Sequence, residues 1–253
     1  MFEITKYLKY NGRSWNKFQE IYGKDCDFPY KKYHTLSLQQ KMKIPWRIIN
    51  GIECWSQYKQ DFYILELLNY KKNGYFIELG GYDGVSGSNT FTLEKNYNWN
   101  GICIEALDNF YKKCLQTRKC VVVKECVDSS NKRIKFLEND GCSGIIAKDC
   151  DNKNIVKDRT IKMKTKTLEE ILDENNSPNI IDYFSLDVEG AEFRILEKFP
   201  FEKYKFLVLG IERPKKNLLK LLKKHNYIKL DKKGGQDTFF IHKDLQKKIG
   251  III

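Results

Sequence analysis

Apolar and polar positions follow a strand-then-helix rhythm from about Ser56 onward. Phe62, Ile64, Leu65, Leu67 and Leu68 predict an apolar-rich helix, with Ser56 as its candidate N-cap. Tyr75 to Leu79 is a short apolar run, the pattern of a strand buried on both faces. Ser88-Asn89 opens a helix through Lys95, Gly101 to Glu105 reads as a second strand, and a helix over 108–117 leads to a third, Val121 to Cys126. Arg133 to Leu137 alternates like a further strand and Thr160 to Thr165 like a short one, after which Thr167 caps a helix over Leu168 to Leu172. Ile181 to Leu186 has the make-up of a central strand, and the chain breaks into helix over Asp187 to Glu192. Phe206 to Ile211 predicts the fifth main strand. Pro214 suits the first turn of a helix that turns Leu218, Leu219, Leu221 and Leu222 inward, and Asn226 suits its left-handed C-cap. Tyr227 to Leu230 and Thr238 to His242 then form a closing hairpin around Gly234-Gly235. The series predicts an α/β fold: an open, mostly parallel sheet with one late antiparallel strand. Residues 1–55 lack a strong period and are broken by Gly12, Gly23, Pro29 and Pro45. They are expected to be an N-terminal extension packed on the main domain, 56–253, or a lid over its substrate.

The chemistry gathers at strand ends. After Leu79 comes Gly80-Gly81-Tyr82-Asp83-Gly84, a turn whose glycines allow backbone to approach a ligand closely. Such a turn at the edge of an α/β sheet suits a nucleotide-like cofactor. It is not G-x-G-x-x-G, and the acids Glu78 and Asp83 flank it. Negative charge there opposes a pyrophosphate and suits an amine-bearing cation, which S-adenosylmethionine is. Glu105 ends the second strand about 20 residues past the turn, where a carboxylate accepts from ribose hydroxyls. Asp128, after the third strand, is placed to meet an adenine amino group. A second focus is Asp187, Glu189 and Glu192 at the end of the central strand, with Glu212 at the end of the next. Acids so close together suit proton transfer, cation binding or a grip on an ammonium group, although the helix dipole alone also favours acids in a first turn.

Composition adjusts this picture in three ways. The chain has 253 residues, 42% of them hydrophobic and 13% aromatic, enough for a full core. Its formal charge of +12 comes from lysines scattered along it, which read as a solvated surface or as attraction to an anionic polymer. Eight cysteines include no Cys-x-x-Cys pair, and Met1 to Tyr10 shows no signal-peptide pattern. Reduced thiols and a cytoplasmic location are therefore the expectation. No apolar run approaches a membrane span.

From Ser56 to His242 the sequence resembles the FkbM-type S-adenosylmethionine-dependent methyltransferases. The matching stretches are Ser-Gln-Tyr-Lys-Gln-Asp (56–61), Glu-Leu-Gly-Gly-Tyr-Asp-Gly-Val-Ser-Gly-Ser-Asn-Thr (78–90), Gly-Ile-Cys-Ile-Glu-Ala (101–106), Ser-Gly (143–144) and Ile-Asp-Tyr-Phe-Ser-Leu-Asp-Val-Glu-Gly-Ala-Glu (181–192). It departs at Gly81, where alanine is more usual, and in the Lys/Asn-rich segment 148–159. The resemblance implies a class I (Rossmann-like) methyltransferase sheet and transfer of a methyl group to a hydroxyl of a sugar or related small molecule. Carried over, the cofactor would be held by Glu78, Gly80, Gly81, Asp83 and Gly84, with Ser88 and Asn89 at the next helix start. Glu105 would take the ribose and Asp128 would lie near the adenine, while Gln57 and Asp61 close the methionine end. Asp187 would face the reacting centre and receive or steer the hydroxyl proton, or join Glu189 and Glu212 around Mg²⁺ to lower the hydroxyl pKa. A nucleic-acid methyltransferase, of the RNA-cap type, is the rival enzyme prompted by the basic charge. Against it, there is no Asn/Asp-Pro-Pro-Tyr run, and the fifth strand ends in Glu212 where a cap-type site has lysine. A non-catalytic interaction module keeping the fold is the remaining alternative.

Overall fold

The computed structural model describes residues 26–27, 33–152 and 159–249. Expectations that fall on residues 1–25, 28–32 and 153–158 lie outside the described residues. Strands β1 (Cys26–Asp27), β2 (Arg47–Ile49) and β3 (Ile52–Cys54) form a small antiparallel sheet, and helix α1 (Leu38–Lys41) precedes β2. The segment is anchored by Trp55, whose ring meets Phe91 edge-on at 5.2 Å, and whose indole N–H donates to the Lys41 carbonyl at 2.7 Å.

The central sheet opens with α2 (Gln60–Leu67), β4 (Tyr75–Leu79), α3 (Phe91–Tyr97), β5 (Asn100–Ile104), α4 (Asp108–Thr117) and β6 (Val121–Val123). A second, four-stranded sheet follows, built from β7 (Cys126–Val127), β8 (Arg133–Leu137), β9 (Gly144–Ile145) and β10 (Thr160–Lys166). The chain then returns through α5 (Leu168–Glu174), β11 (Ile180–Leu186), α6 (Glu192–Leu196), β12 (Lys205–Glu212), α7 (Lys216–Lys224), β13 (Tyr227–Gly234), β14 (Asp237–His242) and α8 (Lys243–Ile249). The seven-stranded order is β13-β14-β12-β11-β4-β5-β6. Every neighbouring pair is parallel except those made by β14, which runs antiparallel to both β12 and β13. This is the α/β class I methyltransferase architecture, with its late antiparallel strand.

Strand alternation feeds two cores. Ile77, Ile104, Phe184, Leu186 and Leu209 pack with Leu168, Ile171, Leu196 and Leu218 from α5, α6 and α7. Phe76, Cys103, Tyr183, Val208 and Phe239 pack with Ile64, Leu93 and Cys114 from α2, α3 and α4. Helices thus cover both faces, as a buried parallel sheet requires.

Four local expectations shift. The third strand breaks at Lys124-Glu125: Val121–Val123 stays in the central sheet, whereas Cys126–Val127 pairs with β10. Glu125 turns instead to Lys166 of β10, at 3.1 Å. Helix α6 begins only at Glu192, because Glu189 and Gly190 hold φ of 55° and 95°, outside right-handed helix. Pro214 precedes the first turn of α7, whose N-cap is Lys215. Ser56 does not cap α2; Lys59 holds that position, at φ 69°. Elsewhere Thr167 and Glu170 close a reciprocal capping box on α5, and Asn226 adopts φ 65° after α7. Seven cysteines from Cys54 to Cys150 are free thiols. Among the described residues no helix is long and apolar enough to cross a membrane.

Candidate active site

The C-terminal ends of β4, β5, β11 and β12 open onto a cleft of ≈ 610 Å³. Of the residues singled out in the sequence, Gln57, Glu78, Gly80, Gly81, Ser88, Asn89, Glu105, Asp187, Glu189 and Glu212 line it. Asp61, Asp83, Gly84 and Asp128 do not, and each stands behind the wall for a visible reason. Asp61 is fully buried, accepting from the Trp55 and Ser56 amides at 2.7 and 3.1 Å and from the Ser56 and Thr92 hydroxyls. Asp83 accepts from the Val85 and Ser86 amides and the Ser86 hydroxyl, with Lys41 3.5 Å away. Gly84 packs on α4, where a β-carbon would overlap the Thr117 hydroxyl. Asp128 is gripped by Arg194 at 3.1 and 2.8 Å and by Lys132 at 3.1 Å. Burial works against its charge, but Arg194, the Ser129 amide and Lys132 outweigh that and hold its carboxyl below the usual range.

One corner of the cleft forms where β4 meets β11. Gly80 takes φ 97°, and a β-carbon there would overlap the Asp187 carbonyl oxygen, so only glycine lets the two strand ends meet. The Gly80 and Gly81 amides both donate to the Ile104 carbonyl, at 3.1 and 3.0 Å. Glu78 is buried and fully engaged: it accepts from the Ser88 and Thr90 hydroxyls, the Asn89 amide and, at 2.6 Å, the Arg118 guanidinium. Arg118 also holds Glu94 at 2.7 Å. The negative charge read at Glu78 is therefore already balanced. Glu105 accepts from the Tyr82 and Leu107 amides, both at 2.8 Å, and burial pushes its carboxyl up. Beside it, Phe110, Val127 and Phe136 form an apolar wall. Asn89 donates from Nδ2 to Ser185 Oγ at 2.9 Å, while its buried Oδ1 has no hydrogen-bond partner. An orphan acceptor on a cleft wall is what a ligand ammonium or hydroxyl group satisfies.

The acids gather at the other end. Carboxylate oxygens of Asp187, Glu189 and Glu212 lie within 4.8 Å of one another. Asp187 lines the cleft with an exposed side chain; desolvation of the carboxyl, and next the adjacent Glu212 carboxylate, raise it above the ordinary range. Burial and Glu212 also raise Glu189, which Arg213 partly offsets. Arg213 contacts Glu189 at 2.8 Å and Glu212 at 2.6 Å. Asp237, opposite Glu212 in the β12–β14 register, accepts from Gln60 Nε2 at 3.1 Å, and burial pushes its carboxyl up to about 6. Tyr82, Glu189 and Arg213 all hold positive φ (48°, 55° and 42°) and all line the cleft. Backbone strain in non-glycine residues collects at functional sites. Glu192 turns away, accepting from the Val188 and Gly190 amides.

Sequence reasoning missed Arg118, Arg194, Arg213 and Asp237. A signal was present for the first three: only seven of the 45 basic residues are arginine, the side chain suited to gripping buried carboxylates.

No curated protein matches the sequence. Solved structures that the chain resembles include the METTL16 MTase domain, with a TM-score of 0.41 and 15% identity over 71% of this chain and 64% of that one. The chain thus spans less than two thirds of that domain's length. A precorrin-6y C5,15-methyltransferase from Geobacter metallireducens gives a TM-score of 0.40 and 10% identity over 72% of this chain and 86% of that one. A methyltransferase FkbM domain matches residues 78–229, more than half of the chain, spanning the glycine turn, Glu105 and the acid cluster. The protein belongs to the FkbM methyltransferase family.

Proposed function

We propose that the protein methylates a hydroxyl of a neutral sugar or related small molecule, with Asp187 as the proton acceptor. The observation that carries this reading is the charge of the cleft. Among the described residues that line it seven are acids, one is an arginine and none is a lysine; Arg118, Lys166 and Arg213 offset part of this charge and leave an acidic surplus, although the chain as a whole carries +12. Carboxylates accept strong hydrogen bonds from hydroxyls and repel phosphates, so the cleft disfavours a nucleic-acid acceptor.

Asn89, with its orphan acceptor, suits the methionine ammonium, and Glu105 the ribose hydroxyls. Phe110, Val127 and Phe136 offer the base an apolar slot, in place of the Asp128 contact expected from the sequence. Gly81 and Ser88 complete that wall, with Glu78 fixing it from behind through Ser88 and Asn89, whereas Gln57 donates to the Tyr58 hydroxyl. Asp61, Asp83 and Gly84 support it without touching the cleft. S-adenosylmethionine, when bound, supplies a methyl group already activated by its sulfonium. Asp187 and Glu212 orient the acceptor hydroxyl, and Asp187 receives its proton as the methyl group is transferred.

The carboxylate spacing favours one second reading, Mg²⁺ held by Asp187, Glu189 and Glu212. Arg213 already contacts two of these and sets a positive charge beside the place a cation would take, which favours the metal-free form. The test is Asp187→Asn, assayed with labelled methyl donor against a sugar panel before and after EDTA. The expected result is kcat lowered by about 10²–10⁴, cofactor affinity retained, and wild-type activity insensitive to EDTA. Wild-type turnover by the variant removes the base. Activity lost to EDTA and restored by Mg²⁺ replaces it with the metal.

A further inference from the structure

We infer that Tyr58 is the stacking platform for the acceptor, and that the acceptor is a neutral pyranose-type ring laid with its C–H face on the tyrosine and its hydroxyls toward Gln57 and Gln236. The inference rests on the sugar-hydroxyl reading and adds the residue that selects the sugar. Five large apolar side chains among the described residues are exposed: Tyr58, Tyr70, Leu115, Val121 and Ile180. Of these only Tyr58, 43% exposed, lines the cleft.

Its ring is braced rather than loose. Gly235 holds φ 63° in the β13–β14 turn, and a β-carbon there would overlap the ring, so the tyrosine rests flush on bare backbone. Gln57 Nε2 donates to the Tyr58 hydroxyl at 3.3 Å. The Tyr58 amide donates to Gln60 Oε1 at 2.7 Å, and Gln60 Nε2 in turn donates to Asp237. Asp237 pairs in register with Glu212. The platform is thus tied to the strand pair that carries the reacting acids.

The chemistry around it selects the ligand. An aromatic face carries partial negative charge and attracts the positive C–H edges of a sugar ring. Two glutamine amides offer both donors and acceptors to vicinal hydroxyls. Trp46 and His34, 5.7 Å apart edge-to-face, extend the aromatic rim. A nucleotide would also stack, but its phosphate would meet the acids.

The test loads the protein with S-adenosylhomocysteine and measures saturation-transfer NMR with a panel of neutral methyl pyranosides, with adenosine monophosphate as the anionic control. Tyr58→Ala is expected to weaken pyranoside binding about tenfold and Tyr58→Phe less than about threefold. Gly235→Ala, which displaces the ring without removing it, is expected to weaken it as well. S-adenosylhomocysteine affinity stays the same in all variants, reporting an intact fold. Pyranoside binding unchanged in Tyr58→Ala overturns the platform and leaves the sugar reading standing. No pyranoside signal on the loaded wild type overturns both, and adenosine monophosphate stacking on Tyr58 would assign the platform to a nucleotide.

Discussion

Arg118 decides what the acids of the glycine turn are free to do. Its side chain is fully buried between Glu78 and Glu94, whose side chains are 4% and 5% exposed. Removing the guanidinium leaves two carboxylates in a dry core, a loss of about 3–5 kcal/mol. Arg118→Met is expected to lower unfolding stability by that amount in urea titration, whereas Arg118→Lys recovers only part of it, because an ammonium cannot reproduce the fork. The acids of the site were legible because each sits at a fixed offset from an apolar run or a glycine turn. Their counter-ions were not. Arg118 meets Glu78 across 40 residues and Arg194 meets Asp128 across 66, and no local spacing encodes such a meeting. The same limit explains Asp61 and Asp83, whose sequence positions beside the site conceal that their oxygens close turns in the wall. Gly81 shows the reverse: the space an alanine methyl would take is filled by the Cys103 thiol, a substitution pair readable only in three dimensions.

Elements were most legible where pattern and cap agree. Helix α5 has both, with the Thr167 hydroxyl accepting from the Glu170 amide at 3.2 Å and the Glu170 carboxylate accepting from the Thr167 amide at 3.0 Å. Thr167→Ala should cost about 1 kcal/mol, seen as a lower urea midpoint, while cofactor affinity is unchanged because no residue of α5 lines the cleft. Boundaries drifted where tertiary pairing overrides propensity. Val121 to Cys126 reads as one strand broken only by the polar pair Lys124-Glu125, yet its two halves pair with β5 and with β10 in different sheets. The delayed start of α6 has a functional consequence. Left-handed Glu189 and Gly190 stretch the chain after β11, and that brings Glu189 beside Glu212 instead of turning it away on a first helical turn. An acid cluster spread over two strands was visible in the sequence as separate strand ends; the backbone kink that joins them was not.

Across the whole molecule, charge is segregated: a basic exterior surrounds an acidic cleft. Part of that acid is held at a cost to stability, and the sign follows from linkage. Burial raises Asp237 from 3.8 to about 6, so the folded state binds a proton more tightly than the unfolded chain does. The stability this residue contributes is full below its unfolded pKa and is lost as pH rises through about 6. Asp237→Asn, which mimics the neutral form and still accepts from Gln60, is therefore expected to match wild type near pH 4 and to exceed it at pH 7.5 by at most about 3 kcal/mol. Thermal melts across that range check it, and equal melting points at pH 7.5 would show that Asp237 bears no such cost. The same segregation separates the acceptor classes. Lysines on the exterior attract any polyanion at low ionic strength, but that attraction ends outside the cleft. A single-stranded RNA of about 20 nucleotides should bind at 50 mM salt and lose at least about 10³ in affinity by 200 mM, through counterion release. It should leave S-adenosylhomocysteine affinity unchanged and acquire no labelled methyl group. Binding of a neutral acceptor should vary less than about twofold over the same range, since no phosphate contact is formed or broken. RNA that competes with the cofactor or takes up the label would mean that phosphates enter the acid-lined cleft, and the acceptor would then be nucleic acid.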